Sequence, residues 1–183
     1  DATAIAGVGR TTTSGPLGTV VFSGGAISQN ATAFKSGGNA SATLNNSGTI
    51  DVAAIANAVG GEDVFAAAFV ADGVNQGAFG GTSGTAVASL VNTGPLTVNA
   101  IANATGGGEG TALAHAMGVS QAASAGAGAS ALVSNTDAIS VAASANVIVG
   151  NAAHRGDFAF ASASAGGINQ SAHGKSGSAV TGA

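Results

Sequence analysis

The sequence contains no cysteine, no tryptophan and no tyrosine, and only two of its 183 residues are proline. The lack of cysteine excludes disulfide bonds and thiolate metal sites. It does not argue against secretion, because large bacterial surface proteins do without disulfides. Only 7% of the residues are charged, and eight acidic against four basic side chains leave a net charge of −4. We therefore expect no nucleic-acid partner, since phosphate contacts require clustered cations.

Long runs of large apolar side chains are also missing, although 45% of the residues are hydrophobic. Most of this fraction is alanine, interspersed with glycine, serine and asparagine, so we expect no membrane span. Such a composition can indicate disorder. However, regularly spaced valine and isoleucine, together with the scarcity of proline and charge, favour a folded chain.

One seven-residue phrase occurs three times, at 44–50 (LNNSGTI), 90–96 (LVNTGPL) and 133–139 (VSNTDAI). Its central asparagines, 46 and 43 residues apart, are Asn46, Asn92 and Asn135. A repeat of this period is typical of a stacked array, in which one unit buries its core only against its neighbours. The chain is thus interpreted as a single domain over 1–183, divided into repeats at 1–39 (partial), 40–84, 85–128, 129–178 and 179–183 (the start of another).

Each repeat contains three extended segments. The first precedes the asparagine corner (40–44, 86–90, 129–133), the second follows it (50–58, 96–104, 139–147), and the third follows a glycine-rich turn (65–74, 112–119, 158–168). A loose Gly/Ser segment closes the unit. In the second segment, Ile50, Val52 and Ala54 alternate with Asp51 and Ala53, which predicts a half-buried strand. Alanine alone would favour a helix, but the interspersed glycine, asparagine and β-branched residues oppose one.

Parallel stacking of these units predicts an all-β fold. We expect a parallel β-solenoid of about four coils, with one repeat of about 46 residues per coil and a thin, alanine-rich core. Four coils would span only about 19 Å of the axis. The alternative is two coils of about half that length per repeat, which would stack unlike residues.

One coil per repeat predicts three ladders of stacked amides, in which each side chain bonds its equivalent in the next coil. The ladders are Asn46, Asn92 and Asn135 at the corner; Asn57, Asn103 and Asn146 in the second segment; and Gln29, Gln76, Gln121 and Gln170 after the third.

Both ends of the sequence fall inside a repeat. Residues 1–6 resemble 51–56, and residues 178–183 resemble the entry to the corner at 89–94. Two interpretations stay open: the chain is a piece of a longer array, or it stacks head to tail with copies of itself, which builds an open filament. Both predict an extended fibre.

Candidate chemistry is sparse. Glu62, Asp63, Glu109 and Asp157 recur at the turn after the second segment. A calcium site needs several converging oxygens, so we expect solubilising charges; calcium is the one cofactor left open, and we expect no other. The three histidines share no metal-ligand spacing, and no catalytic arrangement of serine, histidine and carboxylate is evident. We therefore expect no enzymatic activity.

A tripeptide of the integrin-binding type, Arg155-Gly156-Asp157, lies on a predicted turn. It is a candidate ligand turn for a host-cell partner, although three residues match by chance often in glycine-rich sequence.

The phrase Leu-x-Asn-x-Gly-x-Ile/Leu at 44–50 and 90–96 resembles the repeats of filamentous-haemagglutinin-like bacterial exoproteins and autotransporter passengers. The resemblance implies a right-handed β-solenoid on the Gram-negative cell surface, with roles in adhesion, aggregation and biofilm. The chain departs from that family in its longer period and its alanine-rich strands. We expect a structural extracellular protein whose partner is itself, stacked head to tail. The alternative is an adhesin that binds a host or glycan ligand through outward rows or turns.

Overall fold

The computed structural model describes residues 10–15, 19–23, 26–150, 158–175 and 179–182, the first two and the last of these ranges as backbone strands. The described residues form an all-β fold of fourteen strands, and every strand pair is parallel. The predictions of strands rather than helices, and of parallel pairing, are confirmed. No helix long and apolar enough to cross a membrane occurs in this part of the chain.

The strands form three sheets. The first sheet contains, in spatial order, β1 (Arg10–Gly15), β5 (Ile50–Val59), β9 (Leu96–Gly106) and β12 (Ile139–Val149). The second contains β2 (Thr19–Ser23), β3 (Ile27–Thr32), β6 (Val64–Val70), β7 (Val74–Phe79), β10 (Gly110–Ala125) and β13 (Ala159–Gly174). The third contains β4 (Ala40–Asn46), β8 (Thr85–Asn92), β11 (Gly128–Asn135) and β14 (Ala179–Gly182).

Strand register follows the sequence repeat. In the first sheet Ile50 pairs with Leu96, and Leu96 pairs with Ile139. In the third sheet Asn46 pairs with Asn92, which pairs in turn with Asn135. Equivalent residues of successive phrases therefore lie side by side on neighbouring, hydrogen-bonded strands. We use the word layer for strands of the three sheets that follow one another in the chain, so that β9, β10 and β11 form one layer and β12, β13 and β14 the next.

The third segment extends further than its alternation suggested. Strand β10 is continuous over 16 residues, and β7 and β13 likewise run beyond the glutamine. The prediction of a loose Gly/Ser segment there was wrong for 77–79, 122–125 and 171–174. These stretches alternate small residues, and their inward alanines, such as Ala78 and Ala123, are buried against the third sheet.

The alternation of inward and outward positions along β10 shifts by one residue at Gly118. Its buried positions are even-numbered up to Gly118 and odd-numbered from Val119 onward. A Cβ atom at Gly118 would lie 2.5 Å from the carbonyl oxygen of Gly167 and 2.7 Å from Cγ2 of Val141. Distances this short exclude any side chain, so a glycine is required where the strand changes parity.

Two hydrophobic cores result. The larger core lies between the first sheet and the N-terminal half of the second, and Val52, Val98, Ala100 and Ala114 belong to it. The predicted inward row of β5 is confirmed, because all five of its members are buried: Ile50, Val52, Ala54, Ala56 and Ala58. The smaller core lies between the third sheet and the C-terminal half of the second, and every buried residue in it is alanine.

Each residue of an alanine core contributes little to the free energy of folding, because one buried methyl group contributes only about 0.8 kcal/mol. Backbone ladders and buried polar contacts must therefore contribute a larger share of the stability than in a leucine-rich core. This makes the amide side chains that the repeat places in register important to the fold.

Candidate functional site: amide ladders and open sheet edges

The glutamines form a continuous ladder between strands of the second sheet. Nε2 of Gln76 donates to Oε1 of Gln29 at 2.7 Å, and Nε2 of Gln121 donates to Oε1 of Gln76 at 2.7 Å. Nε2 of Gln170 donates to Oε1 of Gln121 at 2.9 Å. Gln29, Gln76 and Gln121 are buried, and Gln170 is half-buried. The ladder thus runs through the interior of the protein.

The same amides also bridge two sheets. The Nε2 atoms of Gln29, Gln76 and Gln121 each donate to a backbone carbonyl of the third sheet, at 3.0, 3.1 and 3.0 Å. An amide nitrogen has two hydrogens, so the nitrogens of Gln76 and Gln121 each bond once along the ladder and once across the core. No buried side-chain nitrogen or oxygen of the described residues lacks a hydrogen-bond partner. The ladder separates the two cores and holds the third sheet against the second.

Sequence reasoning identified this ladder but not its buried position or its contacts to the third sheet. The sequence did contain a signal of the buried position. Gln76 lies two residues after Val74, and Gln121 lies two residues after Val119, so each glutamine shares a strand face with a valine. The change of parity at Gly118 concealed it, because alternation counted from the start of β10 assigns Gln121 to the outward face.

The corner asparagines form a second ladder. Nδ2 of Asn46 donates to Oδ1 of Asn92 at 2.6 Å, and Nδ2 of Asn92 donates to Oδ1 of Asn135 at 2.6 Å. Each asparagine also donates to the carbonyl two residues ahead, on Gly48, Gly94 and Asp137 respectively. Asn92 is fully buried. The side chains therefore brace each corner within a layer and join it to the next layer.

The third predicted column lies on the outward side of the first sheet. Nδ2 of Asn103 donates to Oδ1 of Asn57 at 2.9 Å. Asn146 occupies the register position beside Asn103 in β12, where it is exposed. The structure thus brings the members of all three predicted columns to adjacent register positions.

We call the edge formed by β12 and β13 the open end. Within the described residues, β12 and β13 each have a hydrogen-bonded neighbour on one side only. The inward row of β12, which includes Val141 and Ala143, is only partly buried, whereas the equivalent residues of β9 are fully buried. In β13 the alanines that pair with buried Ala112 and Ala114, namely Ala161 and Ala163, are exposed.

Large apolar side chains are exposed at the same end. Phe158 and Phe160 stack on each other with ring centroids 6.2 Å apart, and both are about half exposed, as is Ile148. Phe160 and Ile148 lie on outward positions, beside Thr111 and Thr105, so this side of the last strands is a surface able to bury apolar area.

Three of the predicted acidic turn residues are described. Asp63 and Glu109 precede the paired residues Val64 and Gly110, so their carboxylates belong to adjacent stacked turns, with Glu62 beside them. No group of three or more metal-binding side chains occurs among the residues that the structure describes. Asp157, together with the rest of the candidate ligand turn at 155–157, lies outside the described residues.

No family model, curated protein or solved structure matches this chain.

Proposed function

We propose that this chain is a structural protein whose repeats form a β-solenoid, one layer per repeat, and that it stacks end to end with copies of itself into an extracellular fibre. The observation behind the stacking is the uncovered inward row at the open end, above all Ala161 and Ala163 of β13. A further layer in the same register would bury this row and pair the free edges of β12 and β13.

The solenoid interpretation is supported by the register. Strands from all three sheets follow one another in the chain, and each pairs with its equivalent in the neighbouring repeat. The buried glutamine ladder supports it further, because each repeat contributes one glutamine that lies in register with its equivalent in the next. The extracellular location is part of the proposal and rests on the resemblance of the repeated phrase to bacterial surface proteins.

End-to-end stacking of identical chains is heterologous: one end of the molecule contacts the other end of the next. Because stacking displaces each copy along the axis, such contacts do not close into a ring, and the product is a filament. The same open end would also accept a further repeat from a longer polypeptide, because the chemistry of the covering layer is identical.

The test compares two lysine substitutions on exposed alanines of the last described layer. Ala163 faces inward at the open end, and Ala142 faces outward. Ala163→Lys places a charge where the next layer would stack, which is how natural sheet edges resist pairing. Ala142→Lys adds the same charge outside the stack. Because both positions are exposed, neither variant should lose its fold, and circular dichroism checks this.

We expect the wild type and Ala142→Lys to form filaments by electron microscopy and analytical ultracentrifugation. Aligned filaments should give a meridional X-ray reflection at about 4.8 Å, the spacing of strands perpendicular to the axis. Ala163→Lys should remain at the mass of one chain, 16.7 kDa. A wild type that stays monomeric at all concentrations, or an Ala163→Lys variant that assembles normally, would refute the proposal.

A further inference from the structure

Three carboxylates and both lysines of the chain lie at two different edges of the molecule. The stacked turns at 60–63 and 106–109 carry three exposed carboxylates, on Glu62, Asp63 and Glu109. We call these turns the acidic edge. The first of them protrudes, since all four of its residues are exposed, and it contains two glycines with φ near +90°. Gly107 and Gly108 of the second turn donate to backbone carbonyls of the first, which holds the two turns together.

Both lysines of the chain lie at another edge. A groove of about 420 Å³ is formed where three successive turns follow the second sheet, and Thr82, Ser124, His173 and Lys175 line it together with glycines and an alanine. We call it the lysine groove. No carboxylate lines it. The turn that holds Lys35 lies directly beneath, because Oγ of Ser36 is 2.9 Å from Oγ1 of Thr82.

These two edges lie at opposite ends of one strand. Glu109 immediately precedes β10, and Ala125, the last residue of β10, lines the lysine groove. At about 3.3 Å per residue, 16 residues separate the edges by about 50 Å. One molecule therefore cannot bring its own acidic edge to its own groove, although a second copy can.

We propose that the acidic edge of one copy docks in the lysine groove of another, so that copies associate side by side. The two surfaces match in charge, and they match in shape, because a protruding turn meets a concave groove. Since they lie at opposite edges, the contact is heterologous and extends into a ribbon instead of closing. This inference deepens the proposed function, because it adds lateral contacts to stacked fibres.

The individual contacts are weak. Exposed ion pairs contribute little individually and are screened by salt. In a fibre, however, every copy presents both surfaces, so each contact after the first forms within the same assembly and gains from effective concentration. We therefore expect lateral association that depends strongly on ionic strength, in contrast to end-to-end stacking, which is driven by apolar burial and backbone pairing.

A zero-length carbodiimide cross-linker, which joins lysine to carboxylate, tests the contact directly and does not require fibres. At about 20 mM NaCl we expect intermolecular links from Lys175 or Lys35 to Glu62, Asp63 or Glu109. Their yield should fall at least about fivefold at about 0.5 M NaCl, because the Debye length shortens from about 20 Å to about 4 Å. Links chiefly to Asp51, an exposed carboxylate away from the acidic edge, would overturn the proposal, as would none at all.

Charge reversal supplies the second arm. Lys35→Glu/Lys175→Glu chains contain no lysine and form no such links alone, so the informative result is the mixture. Mixing them with Glu62→Lys/Asp63→Lys chains should give links from the lysines introduced at positions 62 and 63 of one variant to the glutamates introduced at positions 35 and 175 of the other, and the absence of these links would refute docking. Asp51→Lys is the matched control and should behave like the wild type. If filaments form but their width and bundling are the same at both salt concentrations, lateral docking is refuted while stacking stands. If cross-links form without filaments, stacking is refuted and docking stands.

Discussion

Replacing Gln76 by leucine tests whether the buried glutamine ladder holds the sheets together. Gln76 accepts from Gln121 and donates to both Gln29 and the carbonyl of Ser89. Leucine has a similar size but no polar atoms, so Oε1 of Gln29 loses its donor and Nε2 of Gln121 loses an acceptor. Each buried group left unsatisfied costs about 1–3 kcal/mol. We therefore expect Gln76→Leu to lower the free energy of unfolding by about 2–5 kcal/mol.

Chemical denaturation followed by far-UV circular dichroism measures this change. Intrinsic fluorescence is a poor probe here, since the chain has no tryptophan or tyrosine. Gln170→Leu is the matched control. Gln170 donates to Gln121 but is half-buried at the open end, where water can replace the lost partner. Its loss should be about 1 kcal/mol or less.

A Gln76→Leu variant within about 0.5 kcal/mol of the wild type would refute the reasoning, and so would a loss equal to that of Gln170→Leu. Non-additivity provides a further check. Leucine at positions 29, 76 and 121 together removes both partners of the two bonds that join these three residues, so those bonds leave no orphaned group. The triple variant should therefore lose less stability than the sum of the three single variants.

Three further predictions concern the corners, the core and the turns. Asn92→Ala should lower the free energy of unfolding by about 2–4 kcal/mol, and by more than Asn46→Ala does. The reason is that Asn92 is the fully buried one of the two and bonds to both neighbouring corners. Denaturation midpoints of the two variants measure the difference. Ala102→Leu should lower the free energy of unfolding by about 1–3 kcal/mol, because it overpacks a fully buried inward position. Thermal melting measures this change, and an unchanged Tm would contradict the tight packing. Gly126→Ala should lower the free energy of unfolding by about 1–3 kcal/mol, because the added Cβ would lie 1.6 Å from a backbone carbonyl oxygen. Gly48→Ala, where the added Cβ meets open space, should stay within about 0.5 kcal/mol of the wild type. Equal losses in the two variants would argue against stacked turns.

Much of the fold was predictable because it depends on short-range pattern. Alternation in the second segment predicts a strand and its buried row, and both are observed from Ile50 to Ala58. Recurrence of the asparagine phrase placed Asn46, Asn92 and Asn135 in one column, as the register has it. These inferences need only the two-residue period of a strand and the tendency of like repeats to stack.

The length of the third segment was less predictable. Residues 122–125 and 171–174 are rich in glycine, serine and alanine, a composition that is typical of loops as well as of strands packed in tight space. They become strand because the small third sheet lies opposite and accepts only alanine between the sheets. No property of those residues alone reveals that an opposing sheet is present.

The sequence by itself determined the all-β character, the inward row of each second segment and the adjacency of equivalent amides, since each of these follows from periodicity along the chain. Only the tertiary structure decided that the glutamine ladder lies inside. That outcome depends on the change of parity at Gly118, where the close approach of Gly167 and Val141 leaves no room for a side chain. Such an approach is a property of packed layers, and the sequence of one strand cannot specify it.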